Sequence, residues 1–280
     1  TGSRDGYVMV DPEGQIVDAN PAFCHMLGYT LQELRALPDF YAVTPERWHE
    51  WERTEIWKGR LLTQGFSGIY EKEYIRKDGS VFPVELQAYA IFAGGEIEYL
   101  WGVARDITEQ KLAQEMSRVR MRLLEFAPAH TLEQVLRRTL DEIGRLVDSP
   151  IGFYHFVEPD QQTLSLQTWS TATIETFCQA EGRGMHYDLS DAGVWVDCVR
   201  QRRPVIHNDY ASLPHRKGLP EGHAPVVREL VVPILRDEQV VAILGVGNKP
   251  HDYTAQDVEV VSFLADVAWE IARHKRVEEA

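Results

Sequence analysis

Residues 7–23, YVMVDPEGQIVDANPAF, hold two short apolar runs, 7–11 and 15–19, separated by Pro12-Glu13-Gly14. That pattern predicts a strand, a tight turn and a second strand. Asn20 then suits a helix N-cap, with Pro21 at the first helical position, where its missing N–H costs nothing. Working outward, Gly28-Tyr29 ends this first helix, and Thr30-Leu31-Gln32-Glu33 has the spacing of a capping box that opens another. Trp48, Trp51 and Trp57 follow at intervals that suit one side of a helix. Three extended segments come next, 68–76, 80–92 and 96–107, divided by the turns Lys77-Asp78-Gly79-Ser80 and Gly94-Gly95. Within the middle segment Val84, Leu86, Ala88 and Ala90 share one face by period two. Two strands, small helices and three strands make an antiparallel sheet with its helices gathered on one side.

Asp11-Pro12-Glu13-Gly14, Ala19-Asn20-Pro21-Ala22-Phe23, Gly28-Tyr29, Arg76-Lys77-Asp78-Gly79-Ser80 and Arg105-Asp106-Ile107-Thr108 stand in the order and spacing of a PAS domain, which residues 1–108 resemble. The resemblance implies a five-stranded sheet cupping a small cavity that senses ligands, light or redox state. Trp48, Trp51, Tyr74 and Val84 are the expected lining, together with Leu86, Ala88 and Trp101; the alternative is a cavity filled by its own side chains. Asp106, Ile107 and Thr108 match the exit motif that ties such a sheet to a signalling helix.

Residues 108–126 read as that helix. Leu112, Met116, Val119 and Leu123 repeat in the a/d rhythm of a coiled coil, although a single amphipathic helix docked on a domain fits equally well. Pro128 ends the run. A second helix at 131–147 precedes strand-like runs at 150–157, 162–170, 204–207, 230–235 and 240–247, and a last helix begins near Thr254. Val232-Pro233-Ile234-Leu235, Gly245-Val246-Gly247-Asn248-Lys249 and Asp252-Tyr253-Thr254-Ala255-Gln256-Asp257 resemble the GAF pattern, so 129–273 is expected to be a GAF domain. A GAF pocket with apolar walls and a few polar groups would use Phe153, Trp169, Trp195 and Tyr210 as walls. Its polar candidates are His207, Asn208, Asp209, His223, Arg228 and Glu229, with Arg228 suited to a carboxylate or phosphate. Core packing for the tryptophans, and a surface pair for Arg228 and Glu229, are the competing readings. In the last helix Val261, Leu264, Ala268 and Ile271 form a second heptad-like stripe.

The net charge is -14, with 18 acids and 10 bases through Gln110 and 25 acids and 19 bases after it. Neither half has a basic stripe, which disfavours nucleic acid and anionic membranes as partners. No run approaches the roughly 20 apolar residues of a membrane span. The three cysteines, Cys24, Cys178 and Cys198, have no CxxC spacing, and a reducing compartment, hence the cytoplasm, is expected. Enzyme signatures are missing: there is no GxxxxGK[ST], GxGxxG or HExxH. His215 and His223 with Asp209 nearby leave a metal-dependent hydrolase as an outside reading. Haem through His207 or His223 needs only one axial imidazole. A bilin site would want an Asp-Ile-Pro segment, which is absent, and neither Cys178 nor Cys198 has an adjacent histidine.

The expectation is therefore an α+β protein of two domains, each an antiparallel sheet flanked by helices. The PAS-like domain (1–108) and the GAF-like domain (129–273) are joined by a linker helix (109–128), and 274–280 begins an output helix. The first and last residues have the look of a piece taken from a longer sensor histidine kinase or diguanylate cyclase. The expected role is non-catalytic: a homodimer binds a small molecule, no cofactor being required, and passes the signal to a C-terminal kinase or cyclase. The alternative is a constitutive dimerisation scaffold without ligand.

Overall fold

The computed structural model describes residues 5–177, 186–190, 192–213 and 225–278. The chain divides into two compact units, Thr1–Gln114 and Glu115–Ala280.

In the first unit β1 (Gly6–Val10) and β2 (Ile16–Ala19) form the hairpin expected from the opening motif, with Met9 opposite Asp18. Asn20 caps α1 (Pro21–Leu27) by accepting from Phe23 N at 2.8 Å. The same side chain accepts from Tyr7 N and donates to Asp5 O, so one residue fixes the helix start against the sheet. Gly28 ends α1 in the left-handed conformation, and the Thr30–Glu33 capping box opens α2 (Leu31–Arg35). The tryptophan segment departs from a single helix. It runs through 3-10 turns at Phe40–Val43 and Glu46–Trp48, α3 (His49–Trp51), a ten-residue π-helix at Glu52–Leu61 and α4 (Leu62–Gln64). Because the helical pitch changes along it, a 3.6-residue spacing does not place the three tryptophans on one face. β3 (Phe66–Ile75), β4 (Val81–Ala93) and β5 (Glu96–Asp106) complete a sheet of order β2-β1-β5-β4-β3. Its inner face buries Ile16, Phe23, Leu27, Leu34, Val84 and Leu86 in one core.

α5 (Thr108–Phe126) leads from the first unit into the second. There α6 (Leu132–Leu146) opens on a Thr131–Gln134 capping box. Next come β6 (Ile151–Val157), β7 (Thr163–Trp169), β8 (His186–Asp188), α7 (Asp197–Gln201) and β9 (Val205–His207). β10 (Glu229–Arg236), β11 (Gln239–Gly247) and α8 (Ala255–Glu278) finish the unit. The sheet order is β8-β7-β6-β11-β10-β9, so it has six strands, one more than the sequence pattern suggested, because β8 is a three-residue edge strand. The β10–β11 turn tightens to Asp237-Glu238, both at positive φ, the hairpin geometry that matches strand twist.

Burial changes the reading of both heptad-like stripes. Val119 and Leu123 are fully buried within this unit, and Met116 nearly so, while Leu112 is half-buried. Arg145–Glu115 (2.8 Å) and Arg122–Glu142 (3.1 Å) hold α5 against α6. Val261, Leu264, Ala268 and Ile271 are likewise covered by the chain's own elements. The stripe residues of α8, and those of α5 from Met116 onward, are thus internal packing faces rather than open seams between subunits.

One close approach yields a test. Gly245 lies opposite Phe153 across β6–β11, and a Cβ there would sit 2.1 Å from Phe153 Cζ. Gly245→Ala is expected to cost about 1–3 kcal/mol, as overpacking does. Denaturant unfolding checks this, and the cost should fall by half or more in a Phe153→Leu background.

Candidate ligand-binding site

Period-two alternation builds the site in the first unit. Tyr70, Lys72 and Tyr74 of β3 point to one face, as do Val8 and Val10 of β1 and Leu100 and Gly102 of β5. The π-helix closes the opposite side with Glu52, Ile56, Trp57 and Leu61, and Phe40, Tyr41 and Val43 add the near wall. Between them lies a cavity of about 70 Å³.

One polar cluster interrupts this apolar wall. Lys72 Nζ donates to Glu52 Oε2 at 2.7 Å and to Thr44 Oγ1 at 2.9 Å, and Tyr70 OH donates to Glu52 Oε1 at 3.0 Å. The Lys72 and Glu52 side chains are 1% and 6% exposed, so the ion pair is out of water. The ammonium also lies 4.7 Å from the Tyr74 ring centroid. Burial lowers the Lys72 pKa, against the attraction of Glu52. Burial raises Tyr70 well above its ordinary value, with the Glu52 charge adding to the effect.

Of the residues expected to line this cavity, Tyr74 and Leu86 do so. Val84 is solid core, and Ala88 packs at its margin. Trp48 turns outward, its indole donating to Glu73 at 2.8 Å, and Trp51 packs against Trp48 and Tyr70. Trp101 belongs to the other face: its neighbours Leu100 and Gly102 point inward, and its ring stacks on Tyr7 at 5.3 Å. Lys72 and Glu52 were not singled out in advance. The available signal was the inward register of Tyr70 and Tyr74, which leaves Lys72 no outward position.

The exit motif ties the sheet to α5. Asp106 Oδ1 accepts from Thr108 N at 2.9 Å and Thr108 Oγ1 at 2.6 Å, while Oδ2 accepts from Arg76 at 2.7 Å. Ile107 is buried, and Lys111 of α5 pairs with Glu71 of β3. Partial burial tends to raise the Asp106 pKa, but the Thr108 donors and Arg76 together hold it below the ordinary carboxylate value. Its stabilisation is therefore present above about pH 4, the unfolded carboxylate value, and is lost as pH falls through the lower folded value. Asp106→Ala should cost about 1–2 kcal/mol at pH 7. The gap between variant and parent should narrow as pH falls below about 4, as read by thermal unfolding.

In the second unit the candidates divide between the two faces of the sheet and the loops. Phe153 and His155 of β6 meet Trp195, at centroid distances of 5.7 and 5.0 Å. Burial pushes His155 down to about 3, so its imidazole is neutral. His207 Nδ1 lies 2.9 Å from Glu229 Oε1, its cross-strand neighbour, and Nε2 lies 3.8 Å from Asp197. Trp169 pairs across from Phe153 in β7, and Tyr210 is buried. Several polar candidates serve the backbone instead. Arg228 Nη1 donates to Lys249 O and Pro250 O, each at 2.7 Å, so part of the guanidinium expected to meet an anion holds the segment before α8. Asn208 clasps both backbone groups of Tyr253, and Asp209 caps the turn at Tyr210–Ser212. His223, with His215 and Cys178, lies outside the described residues. Among the described residues no group of three or more His, Cys, Asp or Glu is arranged to hold a metal ion. None of the described helices is long and apolar enough to cross a membrane.

Comparison with known proteins agrees with this architecture. The PAS domain family matches residues 4–109 and the GAF domain family residues 129–271. The chain is 31% identical over 286 residues to the methyl sulfide methyltransferase-associated sensor of Methanosarcina acetivorans, covering 99% of this chain and 28% of that protein. It is 31% identical over 152 residues to the sensor histidine kinase TmoS of Ectopseudomonas mendocina, covering 51% and 15%. The GAF domain of an Acinetobacter phosphoenolpyruvate-protein phosphotransferase is 15% identical, with 60% of this chain and 95% of that one covered at a TM-score of 0.49. The chain spans less than a third of the length of the curated relatives it matches. It belongs to the GAF domain family, with a PAS domain ahead of the GAF domain, and is a sensory region of the signal-transduction type.

Proposed function

We propose that this region senses a small molecule in its PAS cavity and passes the signal through α5 to the GAF domain and on to a C-terminal kinase or cyclase. The observation behind this reading is an apolar cavity that holds a buried Lys72–Glu52 pair. A purely structural core gains little from such a pair, since burying two charges costs about as much as their attraction returns. Lys72 sits on β3, and β3 is linked to α5 through Lys111–Glu71 and through the Arg76–Asp106 contact at its end. A ligand that shifts β3 therefore acts on the start of α5. Such a switch needs the ligand to prefer one arrangement, by a differential of about 1–3 kcal/mol. Homodimerisation would fall to the exposed side of α5, where Met121 and Leu124 face solvent. The cytoplasm is the proposed location.

Screening the whole chain by thermal unfolding against a metabolite library tests the reading. A true ligand at about 100 times its dissociation constant should stabilise by about 2.7 kcal/mol. Leu86→Phe, which fills the cavity, should abolish that response. A library with no hit, or hits that survive the filled cavity, would favour a constitutive scaffold.

A further inference from the structure

We infer that the PAS cavity takes a small uncharged molecule with a short apolar body and one hydrogen-bond acceptor, received by the Lys72 ammonium. This rests on the reading of the cavity as the sensing site and narrows it to a ligand class. Size is the first limit. A buried water needs about 10–15 Å³ of such space, so 70 Å³ admits about five to seven non-hydrogen atoms. Charge is the second. Lys72 and Glu52 already neutralise each other at 2.7 Å, and both are buried. An added anion would stand unpaired beside Glu52, and an added cation beside Lys72, each at a heavy desolvation cost.

Hydrogen bonding supplies the third limit. An ammonium has three donors. Glu52 and Thr44 take two, and the third is left with the Tyr74 face at 4.7 Å. Glu52 in turn accepts from both Lys72 and Tyr70. Glu52 keeps a lone pair on each oxygen, which a ligand hydroxyl could also meet, while the third Lys72 N–H at the cavity wall calls for an acceptor such as a carbonyl, ether or hydroxyl oxygen. The rest of the lining, including Ile56, Trp57, Leu61, Leu86 and Leu100, asks for hydrocarbon. Glu52 also begins the π-helix that supplies three of those residues, a rare helical form often found at functional sites.

Ligand-observed NMR on the whole chain distinguishes the classes, using four probes of about five or six non-hydrogen atoms, the size set above: 2-pentanone, butyrate, butylammonium and pentane. The expected result is saturable binding of 2-pentanone, at least tenfold tighter than either ion, and its loss in Leu86→Phe. In the double variant Lys72→Met/Glu52→Leu, which keeps the site neutral and filled with apolar atoms, the advantage of 2-pentanone over pentane should drop at least tenfold. Preference for butyrate or butylammonium, abolished by Leu86→Phe, would overturn the ligand class and leave the cavity as a sensing site. Equal binding of pentane and 2-pentanone by the parent would also overturn the class, by removing the acceptor. Binding of none of the four, or binding that persists in Leu86→Phe, would overturn the cavity as a ligand site as well.

Discussion

Lys72→Met is expected to destabilise the PAS domain by about 3–5 kcal/mol, the usual cost of stranding one partner of a buried ion pair. Without the ammonium, Glu52 keeps the Tyr70 hydroxyl as its partner at 3.0 Å, in a site where its side chain is 6% exposed. Against a total domain stability of about 5–15 kcal/mol, that loss is large. The double variant Lys72→Met/Glu52→Leu removes both charges, and it should return to within about 1 kcal/mol of the parent or exceed it. Denaturant unfolding, with amide exchange in β3 and β4 to assign the transition, reads both values. A cost below about 1 kcal/mol for Lys72→Met would mean the pair is wet and the cavity open to water. A double variant as unstable as the single one would mean that the pair specifies the packing, which would remove the energetic case for a ligand role.

The elements of the first unit were legible because each rests on a local rule. Asn20-Pro21 and Thr30…Glu33 are helix-start chemistry, and both caps form with the expected partners. The segment between them and β3 was not legible. A run of 3-10, α and π turns has no single period, so no face can be read from residue spacing. That failure hid Glu52 and misplaced Trp48 and Trp51. Trp101 failed for a different reason. Aromatic content suggested a cavity wall, yet strand register decides the face, and Gly102 beside it already occupies the inward position. Lys72 shares the inward face because strand alternation places it between Tyr70 and Tyr74, a register that the sequence reading did not extend to β3.

The GAF candidates show what composition leaves undecided. His207, Asn208, Asp209 and Arg228 look like a polar site because they cluster near one end of the chain's apolar strands. In the fold Asn208 and Arg228 pin the segment before α8, through Tyr253, Lys249 and Pro250. Both Arg228 bonds come from Nη1, so Nε and Nη2 keep three of the five guanidinium N–H donors, with Nη2 3.6 Å from Asp252. The candidates Phe153 and Trp195, joined by His155, which was not among them, face away from α6 and α8, since Tyr154 and Phe156 take the α8 side with Trp269.

Leu264→Lys is expected to unfold the GAF domain rather than to separate subunits. Heptad spacing alone allows either outcome, because a stripe that docks on its own domain and one that zips to a partner share the same rhythm. Burial separates them: Val261, Leu264, Ala268 and Ala272 of α8 are fully buried by the chain itself. Truncation of such a leucine to alanine alone costs about 2–5 kcal/mol. A lysine adds the burial of an unpaired ammonium, so the loss should exceed about 4 kcal/mol, a size reserved for such mechanisms. Val277 lies further along the same helix and is 74% exposed, so Val277→Lys should shift stability by less than about 0.5 kcal/mol. Circular dichroism with denaturant unfolding gives the stability of both variants, and sedimentation gives their oligomeric state. A folded Leu264→Lys protein that has merely become monomeric would show that α8 leaves the GAF core to make the subunit contact, and would restore the coiled-coil reading.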